Sequence, residues 1–238
     1  MSGEMLKVDE VYAGYSNVEV LHGVSIRAKA GQVTCIIGPN GSGKSTLFKV
    51  ICGIIRARKG NVAFCGEDIT DLRPDLILSR GIAISPQGRK IFPFMTVEEN
   101  LEMGGYPIKE REELDRRKKE IYSEFPKLYD RRKQLAGSLS GGEQVLLCLA
   151  RSLVMSPKMI LLDEPSLGLA PNVREEVFQR ILSTKKTLLI IEQNVRKAIS
   201  IADYVYVLDL GKNRFEGTSE EVLADQNLVN LYLGKLGT

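Results

Sequence analysis

The stretch Gly38-Pro39-Asn40-Gly41-Ser42-Gly43-Lys44-Ser45 is the most informative part of this sequence. It matches the pattern G-x-x-x-x-G-K-[ST], follows the β-branched run Val33 to Ile37, and precedes a helical stretch from Ser45 to Val50. Glycines let backbone N–H groups converge on phosphate oxygens, and the N-terminus of the following helix adds positive potential. We therefore predict a strand, a phosphate-binding loop and a helix, in that order.

The predicted nucleotide-binding residues are those of this loop and of the start of its helix. Lys44 can reach the β- and γ-phosphates of a nucleotide, and the Ser45 hydroxyl can coordinate Mg²⁺. A chance glycine-rich turn is the alternative, but the pattern would arise by chance in about one such sequence in a hundred. The residues concerned are Gly38, Pro39, Asn40, Gly41, Ser42, Gly43, Lys44, Ser45 and Thr46.

A second candidate site follows a short apolar run. Met159-Ile160-Leu161-Leu162 predicts a buried strand, and Asp163 and Glu164 follow it directly. Ligands of open α/β sheets bind at the carboxyl ends of the strands. We expect Asp163 to hold Mg²⁺ through water and Glu164 to orient and deprotonate an attacking water. An ordinary strand end with two acids is the alternative, which the presence of a phosphate loop disfavours.

The rest of the pattern predicts an α/β fold. Early strands are predicted at 6–11, 24–28, 33–37, 62–65 and 82–85. After Ser140, strands at 159–162, 187–191 and 204–209 alternate with helices, which indicates a parallel sheet covered by helices. Between them, Thr96 and Glu99 predict a capping box at a helix start. Residues 109–133 contain ten basic and seven acidic residues, which favours a solvated helical lobe over a nucleic-acid patch.

Composition excludes several classes of protein. The chain has 238 residues, of which 43% are hydrophobic and 26% charged, so it can bury a substantial core and is not intrinsically disordered. No apolar run approaches the length of a membrane span, and the first residues predict no secretory signal. A net charge of +3 is too even to indicate nucleic acid. The four cysteines lack zinc spacing and are predicted to be reduced, and His22, the single histidine, is predicted to be structural.

The stretch Leu139-Ser140-Gly141-Gly142-Glu143-Gln144 adds a resemblance to a known family. Ser140 and Glu143 predict a capping box, which leaves the paired glycines unexplained. The stretch is similar to the signature of the ABC ATPases, and the phosphate loop, the signature and the acidic strand occur in that family's order. The resemblance implies an ATPase that binds ATP and Mg²⁺, with Ser140, Gly141 and Gly142 completing the ATP site of a second chain.

Three further site residues are implied by this resemblance. Tyr15 lies where the family stacks an aromatic ring on adenine, although an aromatic that simply packs in a turn is the alternative. Gln87, after Ser85-Pro86, resembles the family's glutamine that contacts Mg²⁺ and senses the membrane partner, and we expect it to be a catalytic and metal-binding residue. Gln193 stands where most members have a histidine that contacts the γ-phosphate. A glutamine amide can donate a hydrogen bond but cannot carry a proton, which leaves Glu164 as the expected base.

The resemblance also implies an architecture and partners. It predicts a P-loop NTPase fold with a mainly parallel core sheet, an N-terminal antiparallel β-subdomain and a helical lobe. The single domain 1–238 would divide into a core with the β-subdomain at about 1–90 and 140–238, and the lobe at about 91–139. Expected partners are a second ATPase subunit, identical or paralogous, transmembrane permease subunits and, indirectly, a solute-binding protein. The expected location is the cytoplasmic face of the membrane.

Local features narrow the subgroup. The stretches 163–171, 191–194 and 216–218, with Tyr232-Leu233-Gly234, resemble branched-chain amino-acid importer ATPases, and Pro86-Gln87-Gly88-Arg89 resembles urea and amide importers. The stretch Ser166 to Leu169 lacks an Asp that many relatives carry. A soluble ABC protein acting on DNA or ribosomes is a less favoured alternative, because the chain has neither zinc cysteines nor room for a long coiled coil. A kinase or GTPase is disfavoured by the signature.

Overall fold

The computed structural model describes residues 3–224, so the predicted resemblance at Tyr232-Leu233-Gly234 lies outside the described residues. The described chain divides into two compact units. The first contains residues 3–80, 161–163 and 187–224, and the second contains Gly81–Ile160 and Glu164–Lys186. The predicted domain boundaries at about 91 and 139 stay a prediction.

The N-terminal part of the first unit is an antiparallel sheet. Strands β1 (Glu4–Tyr15) and β2 (Val18–Lys29) form a long hairpin, and β1 also pairs with β4 (Lys59–Phe64), which pairs with β5 (Glu67–Asp68). Alternate side chains of β1 are buried, which is the pattern of a sheet with one face against a core. This sheet confirms the predicted antiparallel β-subdomain.

The second sheet of this unit carries the phosphate loop. Its strand order is β10-β9-β3-β8-β7, with β3 at Val33–Ile37, β7 at Met159–Asp163, β8 at Thr187–Ile191, β9 at Tyr204–Asp209 and β10 at Lys212–Thr218. Strand β3 is parallel to both β8 and β9, whereas β10 is antiparallel to β9. Strands β7 and β8 are buried at every position, as expected for strands covered on both faces. The mainly parallel core sheet is confirmed.

Four helices of the first unit lie within the described residues. They are α1 (Lys44–Ile51), α2 (Pro74–Arg80), α8 (Val195–Ile201) and α9 (Ser219–Ala224). Helix α1 follows β3 through the glycine-rich loop, so the predicted order of strand, loop and helix is confirmed. Its apolar side chains Leu47, Phe48 and Ile51 are buried.

The second unit is largely helical. It contains α3 (Val97–Gly104), α4 (Arg111–Glu124), α5 (Pro126–Asp130), α6 (Gly141–Leu153) and α7 (Pro171–Ser183), with a short 3₁₀ turn at Ala136–Ser138. Strand β6 (Ile82–Ser85) neighbours β7, whose first two residues belong to this unit. The Thr96 side chain accepts a hydrogen bond from the Glu99 N–H while Glu99 caps Thr96 in return, which confirms the predicted capping box.

Two smaller predictions concern cysteines and membrane spans. All four cysteines are free thiols, and Cys35, Cys52 and Cys148 are buried while Cys65 is exposed. Burial raises the pKa of the Cys35 and Cys148 thiols, which keeps them protonated at neutral pH. Within residues 3–224, no helix has the length and apolar character needed to cross a membrane.

Candidate functional site

The predicted site residues fall into two groups, one in each unit. Tyr15, the loop 38–46, Asp163 and Gln193 belong to the first unit. Gln87, the stretch 140–142 and Glu164 belong to the second.

The phosphate loop leaves the end of β3 and turns into α1. Gly43 is the N-cap of α1 with a left-handed φ of 101°, and a Cβ there would lie 2.7 Å from Leu21 Cδ2, so only glycine fits. The tip, residues 39–41, is exposed, whereas Ser42 and Thr46 are buried. The backbone N–H groups at the tip of the loop are therefore exposed, whereas the residues at its base are buried.

Lys44 is held inside this loop. Its Nζ donates hydrogen bonds to the Gly38 and Pro39 carbonyl oxygens, both at 2.8 Å, and to Ser42 Oγ at 3.3 Å. The side chain is 5% exposed, so the ammonium charge is placed within the loop's curve rather than in solvent. A phosphate in this loop would meet a cation whose position is already set.

Tyr15 lies at the end of β1 and contacts the helix after the loop. Lys49 Nζ donates a hydrogen bond to Tyr15 Oη at 3.0 Å, and this bond, with a smaller one from Thr46, lowers the pKa of Tyr15 against the opposing effect of burial. The ring is 44% exposed, which leaves it accessible to a planar base. Lys49 was not predicted as a site residue.

Gln193 and Asp163 lie at the ends of sheet strands of the first unit. Ile36 of β3 pairs with Ile191 of β8, and the Glu192 N–H donates to the Ile36 carbonyl at 3.2 Å. Gln193 thus follows β8 at the same end of the parallel strands as the phosphate loop that follows β3, and its contact with a γ-phosphate stays a prediction. Asp163 ends β7, the neighbour of β8, and is 7% exposed.

Asp163 also acts electrostatically on Cys52, at the end of the helix after the loop. Burial raises the pKa of the Cys52 thiol, and the negative charge of Asp163 raises it further. Because a Coulombic effect of this kind requires proximity, Asp163 lies near the C-terminal end of α1.

Gln87 and Glu164 contact one another in the second unit. Gln87 Nε2 donates a hydrogen bond of 2.7 Å to Glu164 Oε2. Glu164 is 8% exposed and has a left-handed φ of 48°, which is uncommon for a residue other than glycine. The sequence predicted both residues, and the structure brings their side chains together although they are far apart in the chain.

A small cavity lies beside Glu164. Its volume is about 20 Å³, which is room for one water molecule. The lining includes Pro86, Gly88, Arg89, Val145, Cys148 and Pro165. A carboxylate next to such a cavity can accept a hydrogen bond, or a proton, from a water held there.

Ser140 is the N-cap of α6. Its Oγ accepts from the Glu143 N–H at 3.4 Å, and Glu143 Oε2 accepts from the Ser140 N–H at 3.0 Å, which confirms the predicted capping box. Burial opposes ionisation of Glu143, but these hydrogen bonds and Arg131, 3.1 Å away, lower its pKa overall. The start of α6 is therefore held by a capping box and by the ion pair of Glu143 with Arg131.

The paired glycines after Ser140 also have packing reasons. A Cβ at Gly142 would lie 2.4 Å from Val173 Cγ1 of α7, so glycine lets α6 and α7 approach closely. A Cβ at Gly141 would lie 2.7 Å from Cζ of Arg89. The sequence attributed both glycines to phosphate binding and did not predict either neighbour.

The predicted Mg²⁺ ligands fit the metal in donor chemistry. The Ser45 hydroxyl, the Asp163 carboxylate and the Gln87 amide supply oxygen atoms, which Mg²⁺ prefers. In the first unit, the Asp163 carboxylate and the Ser45 hydroxyl leave coordination positions for phosphate oxygens and water, the usual arrangement for Mg²⁺ bound with a nucleotide. Within the described part of the chain, no group of three or more His, Cys, Asp or Glu residues forms a separate metal cluster.

Comparison with known proteins identifies the family. The family model for ABC transporters matches residues 21–167, which include the phosphate loop, the 139–144 stretch and the acidic strand. The chain belongs to the ABC transporter family. Members of this family are ATPases, so this ABC protein binds ATP and is an ATPase, as the sequence predicts.

Two curated ABC relatives cover nearly the whole chain. The high-affinity branched-chain amino acid transport ATP-binding protein BraG of Pseudomonas aeruginosa is 38% identical over 97% of this chain and 100% of its own length. The probable branched-chain amino acid transport ATP-binding protein LivF of Archaeoglobus fulgidus is 39% identical over 97% of this chain and 99% of its own. The predicted resemblance to this subgroup is confirmed.

A solved ABC structure supports the fold. An ATP-binding cassette of an ABC transporter, crystallised in its ADP conformation, is 35% identical, with a TM-score of 0.88 over 98% of this chain and 99% of that one. The fold is therefore that of an ABC ATPase cassette, and homologous cassettes work with transmembrane permease subunits.

Sequence reasoning missed two residues of this ABC cassette that contact predicted ones. Lys49 lies one helical turn after Ser45 on α1, so both residues lie on the same side of the helix. This spacing could have indicated that Lys49 lies near the site. The sequence predicts no role for Arg89 beyond its place in the stretch Pro86-Gln87-Gly88-Arg89. Its contact with Gly141 depends on tertiary structure, and no local pattern indicates it.

Proposed function

We propose that this chain is the ATP-hydrolysing subunit of an importer of branched-chain amino acids, located at the cytoplasmic face of the membrane. The observation that carries the substrate class is the 38% identity to BraG across the full length of that protein. A urea- or amide-type importer is the related alternative, because Pro86-Gln87-Gly88-Arg89 resembles that subgroup. No nucleic-acid partner is proposed.

ATP binding is the first step of the proposed cycle. The phosphates lie in the loop 38–46, where Lys44 exchanges its contacts with backbone carbonyls for contacts with phosphate oxygens. The exposed ring of Tyr15 stacks on adenine. Ser45 and Asp163 of the first unit would hold Mg²⁺, and Gln87 of the second unit is proposed as a further ligand. The ion would neutralise phosphate charge.

Water activation is the second step. The Glu164 carboxylate accepts a proton from the attacking water, and the Gln87 amide orients that carboxylate through their 2.7 Å hydrogen bond. Gln193, at the strand edge beside the phosphate loop, donates an amide hydrogen bond to the γ-phosphate. The left-handed backbone of Glu164 supports this assignment, because such conformations concentrate at functional sites.

Dimer closure couples this chemistry to transport. The stretch Ser140-Gly141-Gly142 contacts the ATP bound to a second ATPase subunit, identical or paralogous, so that ATP binding closes the dimer and hydrolysis opens it. The N-terminus of α6, a helix of 13 residues, supplies backbone N–H groups suited to phosphate. The permease subunits respond to this closure, and a solute-binding protein delivers the solute to them.

An export ATPase is the second candidate. The lipopolysaccharide export system ATP-binding protein LptB of Haemophilus influenzae is 33% identical over 97% of this chain and 98% of its own length. The lower identity disfavours this assignment relative to branched-chain amino-acid import.

A pull-down tests the proposal. Tagged Glu164→Gln protein is solubilised gently from native membranes with ATP and Mg²⁺, and the co-purifying chains are identified by mass spectrometry. We expect permease subunits and a second ATPase subunit, because the variant should bind ATP without completing hydrolysis. Glu112→Gln, an exposed glutamate on α4, is the matched control and should not trap the dimer.

Uptake measurements then separate the candidates. Cells that lack this chain should lose uptake of radiolabelled leucine and regain it with the wild-type chain but not with Glu164→Gln. Restored uptake of urea or amides alone would favour the related importers. Recovery of export-system subunits, with unaltered leucine uptake, would overturn import.

A further inference from the structure

Arg89 lies in the second unit, and the proposed cycle assigns no role to it. Its guanidinium lies against the α-carbon of Gly141, since a Cβ at Gly141 would be 2.7 Å from Cζ and Nη2 and 2.9 Å from Nη1. Nη2 also donates a hydrogen bond of 3.3 Å to the carbonyl oxygen of Gly168. The guanidinium thus touches both the stretch 140–142 and the turn after Glu164.

The chemistry of this position suits a phosphate. A guanidinium is permanently charged and presents five N–H donors in a plane, a geometry that matches phosphate oxygens. Arg89 uses one of these donors on a neutral carbonyl, and no carboxylate of residues 3–224 forms an ion pair with it. Arg89 is exposed, so an anion that approaches Gly141 meets this charge.

Two neighbouring arginines have other partners than Arg89 and do not contact Gly141. Arg131 pairs with Glu143 at 3.1 Å, and Arg151 donates to the Lys90 carbonyl oxygen and lies over the ring of Phe92. Of these three arginines, Arg89 alone contacts a glycine of the stretch 140–142 in the described chain. Gly141 permits that contact because any larger residue would displace the guanidinium.

We infer that Arg89 contacts the γ-phosphate of the ATP bound to a second ATPase subunit. This inference rests on the proposed function, in which Ser140-Gly141-Gly142 faces that nucleotide. The guanidinium and the backbone N–H groups at the start of α6 together form one donor surface. Arg89 stabilises the ATP-closed dimer through a charge-assisted hydrogen bond that ADP cannot make.

The test compares dimer formation in a background that retains ATP. Purified Glu164→Gln protein with ATP and Mg²⁺ is examined by sedimentation velocity, alone and combined with Arg89→Gln, Arg89→Lys or Lys90→Gln. Lys90→Gln removes a positive charge one position away and is the matched control. ATP affinity of each monomer is measured by titration at concentrations below those of dimer formation.

We expect Arg89→Gln to weaken the ATP-dependent dimer at least about tenfold, because it removes a charged contact. Monomer affinity for ATP should stay unchanged, and Lys90→Gln should match the Glu164→Gln parent. Arg89→Lys should weaken the dimer less than Arg89→Gln, since it keeps the charge but not the planar pair of donors. Equal losses in both Arg89 variants would overturn the inference, because they would indicate a role through the neutral Gly168 carbonyl.

Two other outcomes separate this inference from the proposed function. A dimer of Glu164→Gln that is unaffected by Arg89→Gln would overturn the role of Arg89 and leave the ATP-closed dimer standing. A Glu164→Gln protein that stays monomeric with ATP would overturn both. Weaker ATP binding by the Arg89→Gln monomer would also overturn the inference, because the contact is assigned to a nucleotide on the second subunit.

Discussion

Replacing Gln87 with alanine should slow ATP hydrolysis without weakening ATP binding. The change removes the 2.7 Å hydrogen bond from Gln87 Nε2 to Glu164 Oε2. Because Glu164 is 8% exposed and its backbone is left-handed, the carboxylate has few other ways to reach the same orientation. The loss therefore affects the proposed base and one neutral Mg²⁺ ligand, which saturating Mg²⁺ offsets, and it leaves the phosphate loop unchanged.

The size of the effect follows from the kind of hydrogen bond. A bond to a charged acceptor contributes about 1.5–3 kcal/mol. Gln87 is itself exposed, so water replaces part of the interaction and the lower end applies. A loss of about 1.5 kcal/mol from the transition state corresponds to about a tenfold lower kcat. The KM for ATP should change little.

The assay is phosphate release at saturating ATP and Mg²⁺, with a double-mutant cycle between Gln87→Ala and Glu164→Gln. If Gln87 acts through Glu164, the double variant should be no slower than Glu164→Gln alone. Gln179→Ala, an exposed glutamine on α7, is the control and should hydrolyse ATP at the wild-type rate. Independent, multiplying losses in the double variant would refute the reasoning.

A second glutamine variant gives a pH test. Gln87→Glu would place two carboxylates within hydrogen-bond distance, and such a pair raises the pKa of one member. If Glu164 is the base, kcat of Gln87→Glu should fall off at a higher pH than that of Gln87→Ala as the solution is acidified. Identical pH profiles for the two variants would show that the pair does not control proton transfer.

Three further predictions concern binding and stability. Lys44→Ala should weaken ATP binding in a titration, since it removes the cation held in the loop; unchanged affinity would contradict the loop assignment. Tyr15→Ala should weaken ATP and GTP binding alike, because stacking tolerates any base, and a loss confined to ATP would indicate a specific hydrogen bond instead. Lys118→Met should lower the free energy of unfolding, measured in urea, by about 2–3 kcal/mol. The Lys118 side chain is only 5% exposed and pairs with three carboxylates, which the substitution leaves without their shared cation. Lys119→Met, exposed on the same helix, should change it far less.

The strands that the sequence predicted well are those buried on both faces. Strands β3, β6, β8 and β9 begin and end at the predicted residues, because continuous apolar runs have clear limits. The N-terminal hairpin is longer than predicted, since Val18–Lys29 continues through polar residues that pair along its exposed face. The edge strand β10 was not predicted, because its exposed and half-buried residues lack an apolar run.

Local and tertiary contacts explain what could be predicted in the site. Both capping boxes join residues three positions apart, so the sequence contains the whole interaction. The Gln87–Glu164 hydrogen bond joins residues 77 positions apart, and motif recognition named both residues without predicting their contact. The contact of Arg89 with Gly141 has no local signature. Motifs therefore predict which residues are candidates for the site, whereas packing determines which of them touch.

Because position 193 is a glutamine and not a histidine, few side chains can accept the proton of the attacking water. The single histidine of the sequence, His22, lies on β2, where its Nδ1 is 3.2 Å from Glu19 Oε1. The thiol of Cys52 is kept protonated by a raised pKa, and the Gln193 amide does not accept a proton at neutral pH. Glu164 is a carboxylate with a fixed hydrogen-bond donor at 2.7 Å and a cavity beside it. In the proposed mechanism, proton transfer therefore falls to Glu164, and Gln193 contributes by hydrogen bonding to the γ-phosphate.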